Sequence, residues 1–504
     1  MPTPYDELPY PGAAYAQTHP DRLAVMATLF GLAPPPVERC RVLELACGDG
    51  GNLIPMAFTL PGSRFLGIDL AESAIAKGRE LIQTLHLTNI CLKAMNLMDV
   101  GEEIGQFDYI IAHGIYSWVP AAVRERILDL CKSHLAPNGV GFISYNTYPG
   151  GHFRDTIREM MKFHTRHLTD PAERVERARE FLRFLAEGQS KSDAYAVFLQ
   201  SELQSFLERK PEHFYHDELS EYNDRFYFHE FVDQVSHHGL QYLSAAGLAN
   251  MQTGTYSPAI LEKLQSYCAA DELIREQYLD FLTLRNFRQT LICHADVPLD
   301  RRMNPSRVRS LAAASEATPA SPDPDLRTSA AQEFCFSSGG KMSTNHPLAK
   351  AAMMHLGAVW PRPVQFGELL ETSRRLTSRN TDPATPLDED SNWLSDMVLK
   401  LNAANFLDLH VYSPPLVNQP SERPAASALA RAQVLTRSEV TNLRHASVKV
   451  EDEGARQLLL LLDGTRDRSQ LLDTLRELLH APDIASEQLE NNLTRLAKLA
   501  LLTA

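Results

Sequence analysis

The string VLELACGDGGN at residues 42–52 constrains the fold of this chain more than any other stretch. A run of apolar residues, typical of a buried strand, leads into a glycine-rich turn and then into a helical pattern. Pro55 suits the first turn of that helix, where a missing N–H costs little. Gly48 and Gly50 can adopt positive φ and let a ligand approach the backbone closely. The string therefore predicts a strand–turn–helix unit that binds a ligand beside the helix N-terminus.

A carboxylate follows at the distance that a nucleotide-binding unit requires. Residues 65–69 read as a second buried strand that ends in Asp69, about 20 residues beyond the turn, where a carboxylate can accept hydrogen bonds from ribose hydroxyls. The dinucleotide fingerprint needs Gly or Ala where this chain has Leu53, and no GxxxxGK string occurs. NAD and FAD therefore fit poorly, and a P-loop is excluded.

Short apolar runs alternate with helical patterns, which predicts βαβ units and a parallel sheet. The first strands are expected at 41–46, 65–68, 107–112 and 140–145, with helices at 73–85 and 121–134. Beyond residue 151 the pattern is helical, over 155–167, 171–207 and 228–238. Strands at 239–243 and 287–294, separated by a helix at 259–284, are expected to complete the same sheet. The fold class is thus α/β, with helical insertions that interrupt the sheet.

Two segments rich in Ser, Ala and Pro, at 315–332 and 413–426, are linker candidates. Between them, helical patterns at 347–359, 366–376 and 392–402 and a strand at 406–412 suit either a winged-helix-like module or a helical docking domain. The chain beyond 426 is helical again. The predicted division is 1–155 for the cofactor-binding core, 156–300 for the helical insertion with the last strands, and 301–345 for a linker region. Residues 346–415 would form the winged-helix-like module and 416–504 a mainly helical C-terminal domain.

The overall charge and the cysteines limit the partners that we expect. A formal net charge of −14 gives no strong nucleic-acid signal, because such binding needs many cations that face phosphates. The seven cysteines include no CxxC pair, so neither a disulfide framework nor a metal site is expected. No secretory pattern and no apolar run of about 18 residues is found. We expect a cytoplasmic protein without a membrane span, and the oligomeric state stays open, with a homodimer among the alternatives.

Several local strings resemble a known family. ELACGDGGN resembles motif I of class I S-adenosylmethionine-dependent methyltransferases, with Ala46 in place of the first glycine. The strings YDELPYPGAAYAQTHPDRLA, AHGIYSWVP, SYNTYPGGHFRDTIREMM and FRQTLICH look like bacterial methyltransferases that carry a methyltransferase regulatory domain, among them the rickettsial-type protein lysine methyltransferases. The resemblance covers residues 1–300 well, although Gly151 stands where related sequences often have Trp. It implies a Rossmann-like class I sheet and S-adenosylmethionine as the cofactor.

This resemblance, together with the rule that ligands lie outside the carboxyl ends of parallel strands, gives three sets of candidate residues. The expected cofactor contacts are Glu44, Ala46, Gly48, Gly50, Asn52, Asp69, Leu70, Asn96, Leu97 and His113, with Asp99 as the alternative to Asn96. The expected catalytic groups near the reacting methyl are His113, Tyr116, Trp118 and Tyr148. The expected substrate contacts are Tyr10, His19, Asn146, Tyr148 and His152. Aromatic faces in these sets can stabilise a sulfonium or a methylated ammonium.

Three functions are consistent with this sequence. The first is in-line N-methylation of a lysine in a protein or peptide. The chain has about 200 residues beyond its catalytic unit, and this extra length favours a protein substrate. A lysine amine must first lose its proton, which costs about 4.6 kcal/mol at pH 7, and a closed pocket beside a cation lowers that cost. The second is methylation of a small molecule or secondary metabolite. The third is a cofactor-sensing regulator whose C-terminal module binds a partner.

Overall fold

A computed structural model describes residues 10–189, 193–251, 256–269, 271–378 and 386–503. Its main sheet has the strand order β3-β2-β1-β4-β5-β8-β7, and a short strand, β6, pairs with β5. The strands are β1 (Arg41–Leu45), β2 (Arg64–Asp69), β3 (Ile90–Ala94), β4 (Phe107–Ala112), β5 (Leu135–Thr147), β6 (Arg225–Phe226), β7 (Leu240–Ala245) and β8 (Phe287–His294). Strands β1 to β5 are parallel, and β8 runs antiparallel to both β5 and β7. The prediction that the last two strands join the same sheet is confirmed.

The sheet is covered on both faces, because successive residues of its central strands point to opposite sides. Val42 belongs to one apolar core, and its neighbours Leu43 and Leu45 belong to another. The first core contains helices α1 (Pro20–Leu29) and α2 (Leu53–Thr59) and the apolar face of α3 (Glu72–Thr84). The second contains α4 (Ala121–His134), whose bounds match the prediction. The predicted Rossmann-like α/β fold is confirmed.

A helical insertion follows β5 and has a small core of its own. It comprises α5 (Gly151–Thr165), α6 (Pro171–Glu187), α7 (Ala194–Leu207) and α8 (Pro211–Glu218). The single helical stretch predicted at 171–207 is two helices, because the Asp193 side chain caps the N-terminus of α7 by accepting from the N–H of Ala196. α9 (Phe228–His237) then leads back to the sheet.

The helix expected between the last two strands is also divided. The structure has α10 (Pro258–Cys268) and α11 (Glu272–Thr283), and Ala269 between them adopts the left-handed conformation. Asp271 caps α11, and its carboxylate accepts from the N–H groups of Leu273 and Ile274. Arg288 of β8 then ties α11 to the sheet through a buried ion pair with Asp280.

The region predicted as a linker, 301–345, differs from that expectation. It contains β9 (Ala312–Ala314), the central strand of a three-stranded sheet with β13 (Val364–Gln365) and β14 (Asp408–His410). It also contains β10 (Thr318–Pro319), β11 (Gln332–Cys335) and β12 (Lys341–Thr344), which form a second sheet. The buried ammonium of Lys350 donates to the carbonyls of Thr328 and Ala330, at 2.8 and 3.0 Å, and to that of Asp325. Lys350, which lies outside the segment 301–345, therefore holds residues 325–330 of that segment in place.

Three helices pack around these sheets, and the first two have the predicted bounds: α12 (Pro347–Val359), α13 (Phe366–Leu376) and α14 (Leu387–Ala403). Their apolar residues share one core with a face of the main sheet. The C-terminal region has its own core, made by α15 (Ala428–Val434), α16 (Glu453–Leu461), α17 (Arg468–Leu478) and α18 (Ser486–Lys498). It also contains a hairpin, β15 (Glu439–Thr441) and β16 (Ser447–Lys449), which helical periodicity did not predict. The domain boundaries themselves stay predictions.

Within the described ranges, none of the helices is both long enough and apolar enough to cross a membrane.

Candidate active site

The glycine-rich turn after β1 has an unusual backbone. Ala46, Gly48 and Gly50 all have positive φ, at 59°, 55° and 73°. Left-handed conformations cost a residue with a side chain about 1 kcal/mol or more, so Ala46 is held there by its surroundings. A Cβ built on Gly48 would meet no atom of the described residues within 4 Å, which leaves space for a ligand directly against the backbone. The predicted ligand-binding turn is therefore present at the carboxyl end of β1.

Asp69 lies at the tip of β2, beside this turn. Its Oδ2 accepts a 2.7 Å hydrogen bond from the N–H of Gly48, and its Oδ1 accepts one of 2.8 Å from the N–H of Ala71. These bonds fix the plane of the carboxylate. A carboxylate oxygen can accept more than one hydrogen bond, so both oxygens can still receive ribose hydroxyls.

Glu44 is buried beneath the turn and carries a polar atom that lacks a partner. Its Oε1 accepts a 2.7 Å hydrogen bond from Nδ2 of Asn52, whereas its buried Oε2 has no hydrogen-bond partner among the described residues. Burial raises the pKa of Glu44 to about 8, and repulsion from Asp69 and Asp49 adds to this. An unpaired buried carboxyl oxygen costs free energy, so it marks the place where a ligand group can donate.

Residues 10–19 form a segment, here named the N-terminal strap, that crosses the turn. Oδ1 of Asn52 accepts from the Tyr15 N–H at 3.0 Å, and Asn52 Nδ2 donates to the hydroxyl of Thr18. A Cβ built on Gly51 would lie 2.5 Å from the backbone carbonyl carbon of Gly12, so the strap touches the turn at a point that only glycine allows. Tyr15 and Thr18 are absent from the predicted set, although they lie in one of the strings that carry the family resemblance.

His113 follows β4 and is held in its neutral form. The Ser144 hydroxyl oxygen accepts from the N–H of Gly114 at 2.9 Å and lies 2.8 Å from His113 Nδ1. Burial lowers the pKa of His113 to about 4. The ring of Tyr15 packs edge-on against it, with centroids 4.1 Å apart.

Exposed apolar side chains flank the ends of β2 and β3. Leu70 is 60% exposed and Met98 is 46% exposed, while Leu97 is buried. Asn96 is exposed, and its side-chain oxygen accepts from the N–H of Met98 at 3.0 Å. These side chains can flank a planar ring, and the Asn96 oxygen has a second lone pair for a further donor.

An aromatic group lies where β5 meets the insertion. Tyr148 stacks on His152, with ring centroids 4.0 Å apart and planes inclined by 15°. The phenol of Tyr148 donates to Oδ2 of Asp155 at 3.1 Å, and His152 Nε2 lies 3.3 Å from the hydroxyl of Tyr227. Burial, followed by Asp155, raises the pKa of Tyr148 to about 12, so this tyrosine stays protonated at neutral pH.

Tyr116 and Trp118, two of the predicted catalytic residues, lie in a short helical turn after β4. Tyr116 is fully buried, donates to Oε1 of Gln234 at 2.6 Å and packs edge-on against Phe231. Trp118 is half-buried in the short turn after Tyr116. Because its hydroxyl and its ring both have partners inside the protein, the position of Tyr116 favours a packing role over a catalytic one.

Three predicted substrate contacts have other partners in the structure. His19 is buried at the N-terminus of α1, where its Nδ1 accepts from the Asp21 N–H, and burial lowers its pKa to about 4. Tyr10 is partly exposed and packs against His213 of α8, with centroids 4.7 Å apart. Asn146 donates from Nδ2 to Oδ1 of Asn223 at 2.8 Å.

The Asn146 contact leads to an acidic residue that the sequence analysis did not select. Asn223 donates from its own Nδ2 to the backbone carbonyl of Asp217, the penultimate residue of α8. Burial, and then the charge of Glu218, raise the pKa of Asp217 to about 6. Burial, then Glu44 and then Asp217 raise the pKa of Tyr15, so the Asp217 carboxylate and the strap are electrostatic neighbours.

The fold and this site define a class I S-adenosylmethionine-dependent methyltransferase, and comparisons with known proteins agree. Residues 43–140 match the family described as methyltransferase domain, and residues 210–294 match the predicted methyltransferase regulatory domain. Residues 422–502 match the family "PKMT, C-terminal winged helix domain". This match lies C-terminal to residues 346–415, for which a winged-helix-like module was predicted.

Two of the similar proteins match nearly the whole chain, and a third matches about half of it. RP789 of Rickettsia prowazekii is 33% identical over 482 residues, which cover 94% of this chain and 85% of that protein. RP028 of the same organism is 38% identical over 232 residues, 46% of this chain and 93% of its own. The structure of PKMT2 from Rickettsia typhi in complex with AdoHcy superposes with a TM-score of 0.86 at 28% identity, over 98% of this chain and 100% of that one. The chain belongs to the family of class I methyltransferases that carry the regulatory domain, and it resembles the rickettsial PKMTs.

Proposed function

We propose that this methyltransferase transfers the methyl group of S-adenosylmethionine to the side-chain nitrogen of a lysine in a protein substrate. The observation that carries the proposal is the likeness to PKMT2 along 98% of the chain, which includes the insertion and the C-terminal region as well as the methyltransferase sheet. The net charge of −14 argues against a nucleic acid as the substrate.

The residues at the strand ends fit the cofactor. The partnerless Oε2 of Glu44 is suited to accept from the amino group of its methionine part, and Asp69 to accept from its ribose hydroxyls. Leu70, Met98 and Asn96 would flank and bind the adenine ring. When bound, the cofactor supplies an electrophilic methyl group on a positively charged sulfur. The chain's own task is then to orient a neutral amine in line with that methyl group.

Asp217 is the group that we assign to the lysine. With a pKa of about 6 it is mostly ionised at pH 7, so it can attract a lysine ammonium and receive its proton. Burial lowers the pKa of His113 to about 4 and Tyr148 stays protonated at neutral pH, so both are poor bases here. The hydrogen bond from Asn223 to the Asp217 carbonyl and the bond from Asn146 to Asn223 fix this part of the insertion against β5.

The proposal is tested with methyl-labelled S-adenosylmethionine and fractionated bacterial protein. We expect the label in macromolecules, and acid hydrolysis of the labelled protein should yield methylated lysines. Label confined to small metabolites would reject a protein substrate. Asp217→Asn should lower kcat/KM for the protein substrate at least tenfold and leave the affinity for S-adenosylhomocysteine (AdoHcy) unchanged. The matched control, Glu176→Gln on the exposed surface of α6, should change neither quantity.

A further inference from the structure

The C-terminal region contributes a buried histidine to the base of the cofactor site. His445 lies in the turn between β15 and β16, is 3% exposed and donates from Nε2 to Oδ1 of Asn52 at 2.9 Å. The bond joins residues 393 positions apart in the chain. His445 has a φ of 58°, and the side-chain oxygen of Asn442 accepts from the N–H groups of Arg444 and Ala446 on either side of it. The turn therefore holds His445 in one place.

The direction of this hydrogen bond is determined by the neighbours of Asn52. The Tyr15 backbone N–H can only donate, so the atom of Asn52 that faces it is the carbonyl oxygen. That same oxygen receives His445 Nε2, which must therefore carry the imidazole proton. Burial lowers the pKa of His445 well below its ordinary value, which keeps the ring neutral.

The histidine acts on the cofactor site through two residues. Its donation fixes the carbonyl side of Asn52, and the amide side of Asn52 donates to Oε1 of Glu44 at 2.7 Å. The other oxygen of Glu44 is the partnerless atom beneath the turn. Rotation of the Asn52 amide would remove the donor that orients Glu44, so the contact from the C-terminal region acts together with the Tyr15 N–H to hold that carboxylate in place.

We infer that His445 is a positioning residue for cofactor binding, so that the C-terminal region completes the S-adenosylmethionine site. This inference rests on the proposed role of Glu44. A consequence is reciprocal coupling: docking of the C-terminal region raises cofactor affinity, and bound cofactor stabilises the docked region to the same extent.

Other contacts hold the C-terminal region in place when His445 is changed. Arg437 donates to the Gly12 carbonyl of the strap at 3.0 Å, and Trp360 Nε1 donates to the Lys498 carbonyl at 2.9 Å. Arg444 pairs with Asp408 of β14. A variant at position 445 therefore tests the hydrogen bond to Asn52 and not the attachment of the whole region.

The experiment compares AdoHcy binding by calorimetry in three variants of the full chain. His445→Asn tolerates the left-handed backbone but is too short to reach Asn52, and it should weaken AdoHcy binding about tenfold. His445→Gln can place an amide donor near the position of Nε2 and should stay within about threefold of the wild type. His480→Ala is the matched control, because His480 is an exposed left-handed residue of the same region. It should leave the affinity unchanged.

Kinetics separate positioning from general destabilisation. At saturating S-adenosylmethionine, His445→Asn should show an unchanged kcat and a raised cofactor KM. The inference is overturned if wild type and His445→Asn bind AdoHcy equally well, or if His445→Gln loses as much affinity as His445→Asn. It is also overturned if His445→Asn lowers kcat with an unchanged cofactor KM. Failure of the wild type itself to bind AdoHcy would instead refute the assignment of the cofactor residues, from which the inference starts.

Discussion

The affinity of this methyltransferase for AdoHcy should depend on pH through one buried carboxyl group. Burial raises the pKa of Glu44 to about 8, whereas the amino group of the ligand needs an ionised acceptor. Below pH 8 the ligand therefore binds the minority form, and binding releases a proton. At pH 7 about a tenth of the free protein has Glu44 ionised, so affinity lies about tenfold, or 1.36 kcal/mol, below its plateau.

The affinity for AdoHcy should rise with pH, because burial raises the pKa of Glu44. Since the group is protonated in the free protein and ionised in the complex, affinity rises with pH, by about tenfold per unit below pH 7, less steeply between pH 7 and 8, and levels off above pH 8. The plateau is reached where the free protein is already ionised.

Calorimetry in buffers with different ionisation enthalpies measures the released proton directly. We expect about one proton released per AdoHcy bound near pH 6.5 and almost none near pH 9. Glu44→Gln is the control, because its affinity should be lower than that of the wild type at pH 8 and should not rise between pH 6 and 8. A wild-type affinity that is flat over this range, with no proton release, would refute the role given to Glu44.

Three further predictions concern stability and the substrate side. Arg288→Met should lower the free energy of unfolding by about 3–5 kcal/mol, since it removes the cation that pairs with the fully buried Glu276 and leaves Asp280 with Arg285 alone; a urea midpoint equal to that of the wild type would contradict this. Lys350→Met should cost about 2 kcal/mol and make the loop at 325–330 more sensitive to proteolysis, because three carbonyls lose a charged donor; identical cleavage patterns would count against it. Tyr148→Ala should lower kcat/KM for the protein substrate at least tenfold with an unchanged AdoHcy affinity, whereas Tyr148→Phe, which keeps the stack on His152, should lose less; equal losses would argue against the aromatic face.

The regular part of the fold could be predicted because its signals are local. The bounds of β4, α4, α12 and α13 match the apolar patterns, and the glycine-rich turn and Asp69 lie where their spacing indicates. Each of these features depends on residues within one element or on the turn that follows it. Short-range periodicity is enough to locate them.

The predictions differ from the structure where contacts between residues distant in sequence determine the conformation. The strand Ala312–Ala314 is buried in the middle of a sheet, yet three alanines in a polar, proline-rich context give no apolar pattern. Tyr116 follows a strand end, as a cleft residue would, but Gln234 and Phe231, more than 100 positions away, surround it. Nothing near His445 indicates that it reaches Asn52, because that contact exists only once the C-terminal region has docked.

AdoHcy titration of wild type, Asp69→Asn and Asp233→Asn by calorimetry tests most directly whether the cofactor lies at the ends of β1 and β2. The amide keeps the shape of Asp69 but lacks its charge, so binding should weaken about 30-fold or more. Asp233 is exposed on α9, and its variant should bind like the wild type. Equal affinity in the wild type and Asp69→Asn, or no heat of binding for the wild type, would contradict this placement of the cofactor.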